Sequence, residues 1–187
     1  LQKEEGTYDK YQTFYPHRTQ DGLSGDDIAF IQARESFYIA SVTADGWPYI
    51  QHRGGIAGFI KVLGPTQIAC ADYPGNKQFI SMGNMQTSSK VSLFFMDYLN
   101  HARLKMQGTA TLLTAKDAPS DILEAVTDSG PKAERVLIID IIAMDWNCPK
   151  YIPTLYPEAV LQEVIGPQMG KLQAENATLK AQLAALN

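Results

Sequence analysis

The sequence is poor in the residues that build disulfide scaffolds and metal centres. It contains only two cysteines, Cys70 and Cys148, which lie far apart, and three scattered histidines. No CxxC or Cys/His spacing is present, so neither a disulfide framework nor a zinc site is expected. This cysteine usage favours a reduced, cytoplasmic protein.

Long apolar runs and an excess of basic residues are also missing. No stretch approaches the ~20 apolar residues of a membrane-spanning helix, and residues 1–10 are too charged for a signal peptide. The formal net charge of −4 argues against a general nucleic-acid or anionic-membrane surface. The sequence therefore predicts neither nucleic acid nor membrane as a partner, and its functional basic residues must act locally.

What the chain does contain is a series of short β-prone segments separated by glycine and proline turns. Its 187 residues suffice for one domain with attachments. We expect an N-terminal arm over residues 1–24, a main domain over residues 25–152 and a helical extension over residues 153–187. The close spacing of the strands favours an antiparallel barrel or sandwich over a βαβ fold.

The predicted elements follow from local patterns. Ser24 and Asp27 resemble the capped start of a short helix that ends near Glu35. Further helices are expected over about 77–86 and 117–128. Strands are expected over 36–43, from residue 47 onward, and over 67–72, 91–97, 102–114 and 136–146, with 59–63 either continuing the second strand or forming a third.

The stretch Gly46–Gly55, GWPYIQHRGG, is a candidate wall of a ligand site. Asp45-Gly46 lies between two β-prone runs and predicts a hairpin turn. Alternate side chains of the following strand point to opposite faces. One face carries Tyr49, Gln51 and Arg53, and the other carries Ile50 and His52. Polar residues ahead of two glycines, which let a ligand or a second backbone come close, favour a site for an anionic, planar ligand; the alternative is an ordinary solvated strand face.

A loop and helix start further along the chain form a second candidate. The loop Asp72–Asn76, DYPGN, precedes a helix predicted from about Lys77. The first turn of a helix has unpaired N–H groups and the positive end of the helix dipole. Residues 75–78 could therefore cradle a phosphate, although Asn76 could equally serve only as the helix cap.

Two predicted strands, Val91–Asp97 and Val136–Trp146, are apolar on both faces. Only one face of each can line the interior of a small barrel, so helices or another subunit must cover the other. This pattern is the main reason for expecting a homodimer. Between these strands, the regularly alternating segment 102–114 places Arg103 and Lys105 on its polar face, where they are either solvated or neutralise a carboxylate or phosphate.

The C-terminal extension has a helical pattern. A helix is expected from about Glu158 to Ile165, with an interruption at Gly166-Pro167. Beyond it, one row of residues recurs at alternating spacings of three and four: Met169, Leu172, Asn176, Leu179, Leu183 and Leu186. A buried asparagine can fix the register of a paired coil, but fewer than three heptads are present, so packing on the barrel is an alternative.

Four segments occur in the order found in a known family. They are SFYIASVTADGWPYIQHRGG, GFIKVL, DYPGNKQFISMGN and VSLFFMDYLNHARLKMQG. Over about residues 26–152 the chain resembles the flavin-binding split-barrel superfamily related to pyridoxamine 5′-phosphate oxidase. Within it, the chain is most similar to uncharacterised bacterial flavin-binding proteins that share the HRGG segment and end in a helical tail.

The resemblance implies a mainly β fold, a six-stranded antiparallel Greek-key split β-barrel with flanking helices and a C-terminal helical tail. It also implies a homodimer with FMN, or FAD, at sites built from both chains. The residues along the flavin ring and ribityl chain would be Gln51, His52, Arg53 and Gly54. Those at or near the phosphate would be Asn76, Lys77, Gln78, Ser81 and Asn84. Those reaching the cofactor from the other subunit would be Arg103 and Lys105, and Trp146 would lie close to the ring.

The activity implied is that of an FMN-dependent oxidoreductase, with hydride transfer between NAD(P)H or a small organic substrate and the flavin. Oxidation of pyridoxamine phosphate is not expected, because NCPKYIP and a helical tail follow Trp146, where those oxidases end in an arginine-containing segment. No residue stands out as a catalytic acid or base. His52 is the best candidate, but its side of the strand favours a structural role. The rival interpretation is a non-catalytic module that sequesters or senses flavin or haem.

Overall fold

Seven antiparallel strands dominate the protein, whose structure is a computed structural model. The structure describes residues 1–9, 22–75, 77–127 and 132–185. The strands are β1 (Ser36–Val42), β2 (Pro48–Gly54), β3 (Ile60–Gly64), β4 (Gln67–Asp72), β5 (Lys90–Asp97), β6 (Ala102–Thr114) and β7 (Arg135–Trp146). The helices that lie wholly within the described residues are α1 (Gly25–Gln32), α2 (Ile80–Thr87), α3 (Ser120–Thr127) and α4 (Glu158–Ala185). The chain divides into two compact units, Leu1–Asp97 with Ala102–Pro149 and Tyr98–His101 with Lys150–Asn187.

The strands form one sheet in the order β2-β1-β5-β6-β7-β4-β3. The predicted mainly β antiparallel fold with flanking helices and a C-terminal helix is confirmed, but the predicted six-stranded Greek-key split barrel is wrong, because the structure has a seven-stranded sheet. The strand count differs because residues 55–59 separate β2 from β3, with Gly58 at a φ of +86°. Ile60–Gly64 is therefore a strand of its own. Among the described residues β2 and β3 are the two edges of the sheet, so the sheet stays open.

One face of the sheet carries the main hydrophobic core. Its largest fully buried side chains include Phe37, Ile39, Leu93, Phe95, Leu104, Met106 and Ile139. Ile31 of α1 and Met85 of α2 belong to the same cluster. The alternation predicted for segment 102–114 is confirmed by its buried apolar face.

The opposite face is covered only in part. Helix α3 packs Val126 against Ala69, Val136 and Ile138, which covers the first half of β7. Over β1, β2 and the second half of β7 this face exposes apolar side chains. Four of them are Tyr38, Val42, Ile50 and Ile142, exposed by 37%, 41%, 64% and 59%. We call these four residues the exposed sheet face.

Two predicted local motifs are confirmed. Ser24 caps α1 in a reciprocal capping box, in which the Asp27 N–H donates to Ser24 Oγ (3.2 Å) and the Ser24 N–H donates to Asp27 Oδ2 (2.9 Å). The helix ends at Gln32, slightly before the predicted Glu35. Gly46 has a φ of +89° in the hairpin between β1 and β2, as a tight turn requires. Half of the predicted N-terminal arm, residues 10–21, lies outside the described residues.

The second unit contains one long helix. Helix α4 runs through Pro167 without a break, so the predicted interruption at Gly166-Pro167 is wrong. Proline removes one N–H from the helix, but the segments on both sides are rich in Ala, Leu, Glu, Gln and Lys, which favour helix, and the helix continues. Of the helices in the described ranges, none combines the length and apolar character needed to cross a membrane.

Candidate functional site

A cleft of about 220 Å³ lies between β2, the loop before α2 and the start of β7. Seven of the twelve predicted site residues line it: Gln51, His52, Arg53, Gly54, Lys77, Gln78 and Ser81. Three charged residues that sequence reasoning did not select also line it: Asp72, Glu134 and Arg135. Strand β2 and the loop, separate candidates in the sequence, therefore line one cleft.

Strand β2 supplies one wall of the cleft. Its side chains alternate as predicted, with Tyr49, Gln51 and Arg53 half-buried and Ile50 and His52 exposed. Ser81 Oγ donates a hydrogen bond to Gln51 Oε1 (2.6 Å), which ties the strand to α2. The polar face of β2 is therefore half-buried, and its Gln51 and Arg53 line the cleft.

Asp72 holds two arginines in the cleft. Arg53 Nη1 donates to Asp72 Oδ1, and Arg135 Nη1 lies 3.4 Å from Asp72 Oδ2. Glu134 Oε2 lies 3.0 Å from the same Arg135 nitrogen. The sheet itself sets up this network, because β4 and β7 pair with Asp72 opposite Arg135.

The described charges of the cleft leave a positive excess. Arg53, Lys77 and Arg135 contribute +3, and Asp72 and Glu134 contribute −2, which gives a formal sum of +1 with histidine neutral. Within the described ranges, Arg53 Nε is buried without a hydrogen-bond partner. A buried, unpaired guanidinium N–H is costly and favours an acceptor ligand. The cleft is therefore chemically suited to an anion with several oxygen atoms, such as a phosphate.

The cleft is lined by the loop and also by the first turn of α2, residues Ile80, Ser81 and Met82. Helix α2 begins at Ile80, so the predicted start at Lys77 is wrong. Lys77 and Phe79 have φ values of +59° and +53°. Because left-handed residues do not fit a right-handed helix, the helix begins only after them. Asn76 lies outside the described residues, so its role stays a prediction.

The two glycines that follow the polar face allow groups of the protein to approach closely. A Cβ on Gly54 would lie 3.3 Å from the Glu35 carbonyl oxygen and 3.1 Å from the His52 ring. A Cβ on Gly55 would lie 2.6 Å from the Phe59 ring. The sequence predicts that these glycines let either a ligand or a second stretch of backbone come close. At Gly54 the backbone carbonyl of Glu35 comes close.

Arg103 and Lys105 lie outside this cleft in the single chain. Lys105 lines a separate cleft of about 210 Å³ across β1, β5, β6 and β7, and its Nζ is 3.6 Å from Asp145 Oδ2. Arg103 Nε is, like Arg53 Nε, buried without a partner among the described side chains. Their predicted contact with a cofactor held by another subunit stays a prediction.

Trp146 and Asn84 make structural contacts. The Trp146 indole N–H donates to Asp27 Oδ1 (2.8 Å), and its ring packs edge-on against Phe30 with centroids 4.6 Å apart. Asn84 Nδ2 donates to Ser41 Oγ (2.9 Å) in a buried position. These bonds anchor α1 and α2 to the sheet, and the predicted place of Trp146 beside a flavin ring stays a prediction.

The residues missed by sequence reasoning come from strand ends. Glu134 and Arg135 directly precede the apolar run of β7, and Asp72 ends β4. A pair of opposite charges at the start of an apolar strand is a weak signal, because such residues usually face solvent. Only the pairing of β4 with β7 shows that they meet at the cleft.

The comparisons with known proteins agree with this fold. Residues 28–145, well over half of the chain, match the family model described as pyridoxamine 5′-phosphate oxidase. The chain belongs to the pyridoxamine 5′-phosphate oxidase family. The part that matches this family includes the whole cleft and ends just before Trp146, so the helical extension lies outside the match.

Several solved structures resemble the chain in fold. A protein from Lactobacillus delbrueckii, provisionally named pyridoxamine 5′-phosphate oxidase, is 20% identical, with 67% of this chain and 95% of that chain covered and a TM-score of 0.52. HupZ of Group A Streptococcus is 15% identical, with 72% and 100% covered and a TM-score of 0.52. At these identities the likeness is one of fold alone. No curated protein matches the chain.

Beneath the cleft, Cys70 of β4 is fully enclosed in the core. Burial raises the pKa of its thiol to about 12, with the Arg53 charge lowering it in part and the Asp72 charge adding to the rise. The thiol therefore stays protonated at neutral pH and is not a nucleophile. Cys148 is exposed, and both cysteines are free thiols.

We expect alkaline pH to destabilise the wild-type protein more than a Cys70→Ala variant. In the unfolded chain the thiol ionises near its ordinary pKa of 9.0, whereas in the folded protein it stays protonated up to about 12. Because the folded pKa is raised, this contribution to stability is complete below pH 9 and is lost as the pH rises above it. Between pH 8 and pH 10 the free energy of unfolding should fall by about 1.4 kcal/mol more in the wild type.

Urea unfolding of both proteins at the two pH values measures this difference. The cavity left by the alanine lowers stability at both pH values and cancels in the comparison. Equal falls in the two proteins would show that the Cys70 thiol ionises as readily in the folded as in the unfolded state.

Proposed function

We propose that the cleft binds the phosphate of FMN and that the protein is a flavin-dependent oxidoreductase. The observation that carries the proposal is the convergence of Arg53, Lys77 and Arg135 on one cleft, with Arg53 Nε buried and lacking an acceptor among the described residues. Charged N–H donors of this kind bind phosphate oxygens strongly. Membership of the pyridoxamine 5′-phosphate oxidase family supports a flavin phosphate over other phosphorylated ligands.

The remaining lining residues fit a ligand that extends along β2. Gln51, Gly54 and the backbone of His52 lie beside Arg53 on this strand, where they would follow the ring and ribityl chain. Gln78 and Ser81 would lie near the phosphate. When bound, the flavin supplies the hydride-transfer chemistry, and the chain supplies position and charge.

No acid or base of the protein is assigned a role in catalysis. The His52 ring packs edge-on against Tyr38, with centroids 5.6 Å apart, on the opposite face of β2 from Arg53. This position supports the structural role predicted for His52. The electron donor, either NAD(P)H or a small organic substrate, would meet the ring and not this histidine.

The second part of the proposal is a homodimer that uses the exposed sheet face. Tyr38, Val42, Ile50 and Ile142 form an apolar surface on the strands that the core and α3 leave uncovered. Burial of such a surface against a second copy removes apolar area from water. The same face carries Lys105, so a partner copy would bring this residue and the neighbouring Arg103 toward the other chain. The division into arm, barrel and tail and the cytoplasmic location stay predictions.

The rival function is a non-catalytic module that holds flavin or haem. One observation favours it: in the described part of the cleft, both carboxylates, Asp72 and Glu134, are ion-paired with arginine. Their oxygens already contact the arginines, so these carboxylates position the cations of the cleft. A cleft that holds flavin or haem without turnover would have its carboxylates paired with cations in this way.

The test begins with the purified protein and separate additions of FMN, FAD and haem in excess. The absorbance spectrum and the mass of any released cofactor distinguish the three ligands. A bound flavin that NADH or NADPH bleaches under anaerobic conditions supports the oxidoreductase. A flavin that binds but is not reduced, or uptake of haem alone, supports the rival, and a protein that takes up neither FMN nor FAD contradicts the proposed site.

A further inference from the structure

Helix α4 exposes one continuous row of side chains. Met169, Leu172, Leu179 and Leu183 are exposed by 49%, 59%, 63% and 64%, and Asn176 lies in the same row. We call these five residues the seam. Met169, Leu172 and Asn176 also line a shallow depression on the helix. Exposed leucines spaced by three and four along a helix are costly in water and indicate a surface that is covered by another helix.

The residue types of the seam specify how many helices meet. With alternating spacings of three and four, Leu172 and Leu179 occupy the d positions of a heptad, and Met169, Asn176 and Leu183 occupy the a positions. Leucine at d combined with a single asparagine at a favours two parallel strands. We propose that the seams of two copies of this chain form a parallel, in-register, two-stranded coiled coil.

Asn176 decides between the two orientations. In a parallel coil with matched register, each a residue packs beside the same residue of the partner helix, so the two Asn176 amides can donate to and accept from each other. In an antiparallel coil an a residue faces a d residue, and Asn176 would be buried against leucine with its amide unpaired. An unpaired buried amide costs about 1–3 kcal/mol, which opposes that arrangement and also opposes burial of the seam on any apolar surface.

The flanking charges agree with the parallel orientation. Glu175 precedes Asn176 at a g position, and Lys180 follows Leu179 at an e position. In a parallel coil the g residue of one helix lies near the e residue five positions later on its partner. Glu175 and Lys180 are separated by five positions and have opposite charges. Two copies can therefore form two interhelical ion pairs, each between Glu175 of one copy and Lys180 of the other.

The proposal does not depend on flavin binding, and cysteine cross-linking in the full-length chain tests it. In a Cys148→Ser background, in which the remaining Cys70 is buried, Leu172→Cys and Leu183→Cys are made separately. Identical seam positions of a parallel coil lie within the Cα separation of about 4.4–6.8 Å that a disulfide spans. Each variant should therefore form disulfide-linked dimers on mild oxidation, whereas the control Thr178→Cys, outside the seam, should not.

A mixture of the two variants separates the orientations. In the parallel coil Leu172→Cys links only to itself, and the mixture yields no linked heterodimer. In an antiparallel coil only the mixture yields linked chains. That result, or equal linking at Thr178→Cys, or no linking at either seam position, overturns the proposal.

Exchange of the two flanking charges is a control that shows whether the coil still forms in the cysteine variants. In the Leu172→Cys protein, Glu175→Lys alone or Lys180→Glu alone places like charges across the coil and should lower the yield of linked dimer several-fold. The combination Glu175→Lys with Lys180→Glu restores opposite charges and should restore the yield. Absence of this rescue would contradict the parallel pairing.

Discussion

Lys77→Ala is expected to weaken FMN binding by roughly ten- to a hundredfold and to leave riboflavin binding unchanged. Lys77 lines the cleft with an exposed side chain, so it is available to a ligand. Loss of a hydrogen bond to a charged group costs about 1.5–3 kcal/mol, and about 1.4 kcal/mol corresponds to a factor of ten in affinity. Riboflavin lacks the phosphate and should not respond. Fluorescence titration with both flavins measures the two affinities.

Lys116→Ala is the matched control for this experiment. Lys116 is an exposed lysine in the turn that follows β6, outside the cleft, and its substitution removes the same charge. Its affinity for FMN should equal that of the wild type. If Lys77→Ala lowers the affinity for both flavins equally, or for neither, the phosphate is not held by this loop.

Arg53→Met is expected to lower the free energy of unfolding by about 3 kcal/mol. The Arg53 and Asp72 side chains are only 15% and 9% exposed, so removal of the cation leaves a buried carboxylate with one weaker partner, Arg135 at 3.4 Å. Breaking a buried ion pair typically costs about 3–5 kcal/mol, because one charge remains without compensation. Urea unfolding measures the loss.

Asp72→Asn in the Arg53→Met background separates the unpaired charge from the loss of packing. The double variant should be more stable than the sum of the two single losses predicts, because it no longer buries an unpaired charge. Arg135→Met is the control, with a smaller loss expected, since Arg135 is 24% exposed and lies farther from Asp72. Strictly additive losses of Arg53→Met and Asp72→Asn would show that the pair is not coupled.

Local patterns in the sequence were sufficient to predict the elements that depend on neighbours along the chain. The polar face of β2 follows from a period of two, and the capping box of α1 follows from Ser24 and Asp27. The family follows from four segments in order. The strand face and the capping box are each determined over a few residues, where side-chain direction and turn chemistry are set directly by residue type, whereas the family was predicted from a resemblance.

Features that depend on distant pairing were not predictable in the same way. Asp72 and Arg135 meet because β4 pairs with β7, and no local pattern specifies which strands become neighbours. The late start of α2 depends on left-handed backbone at Lys77 and Phe79, which are residue types that seldom adopt it. The open sheet was not predictable for the same reason. The sequence predicts the strands but not whether the two edge strands, β2 and β3, pair with each other.

Among the residues that the structure describes, the two outer strands of this sheet, β2 and β3, have a neighbouring strand on one side only. Edge strands of this kind can pair with another extended chain and promote aggregation. Both carry features that oppose it. Strand β2 begins with Pro48, which has no N–H to donate, and β3 is short, carries Lys61 and is distorted between Val62 and Gly64. Replacement of Pro48 or Lys61 by a β-branched apolar residue would therefore raise the risk of amyloid-like assembly without touching the cleft.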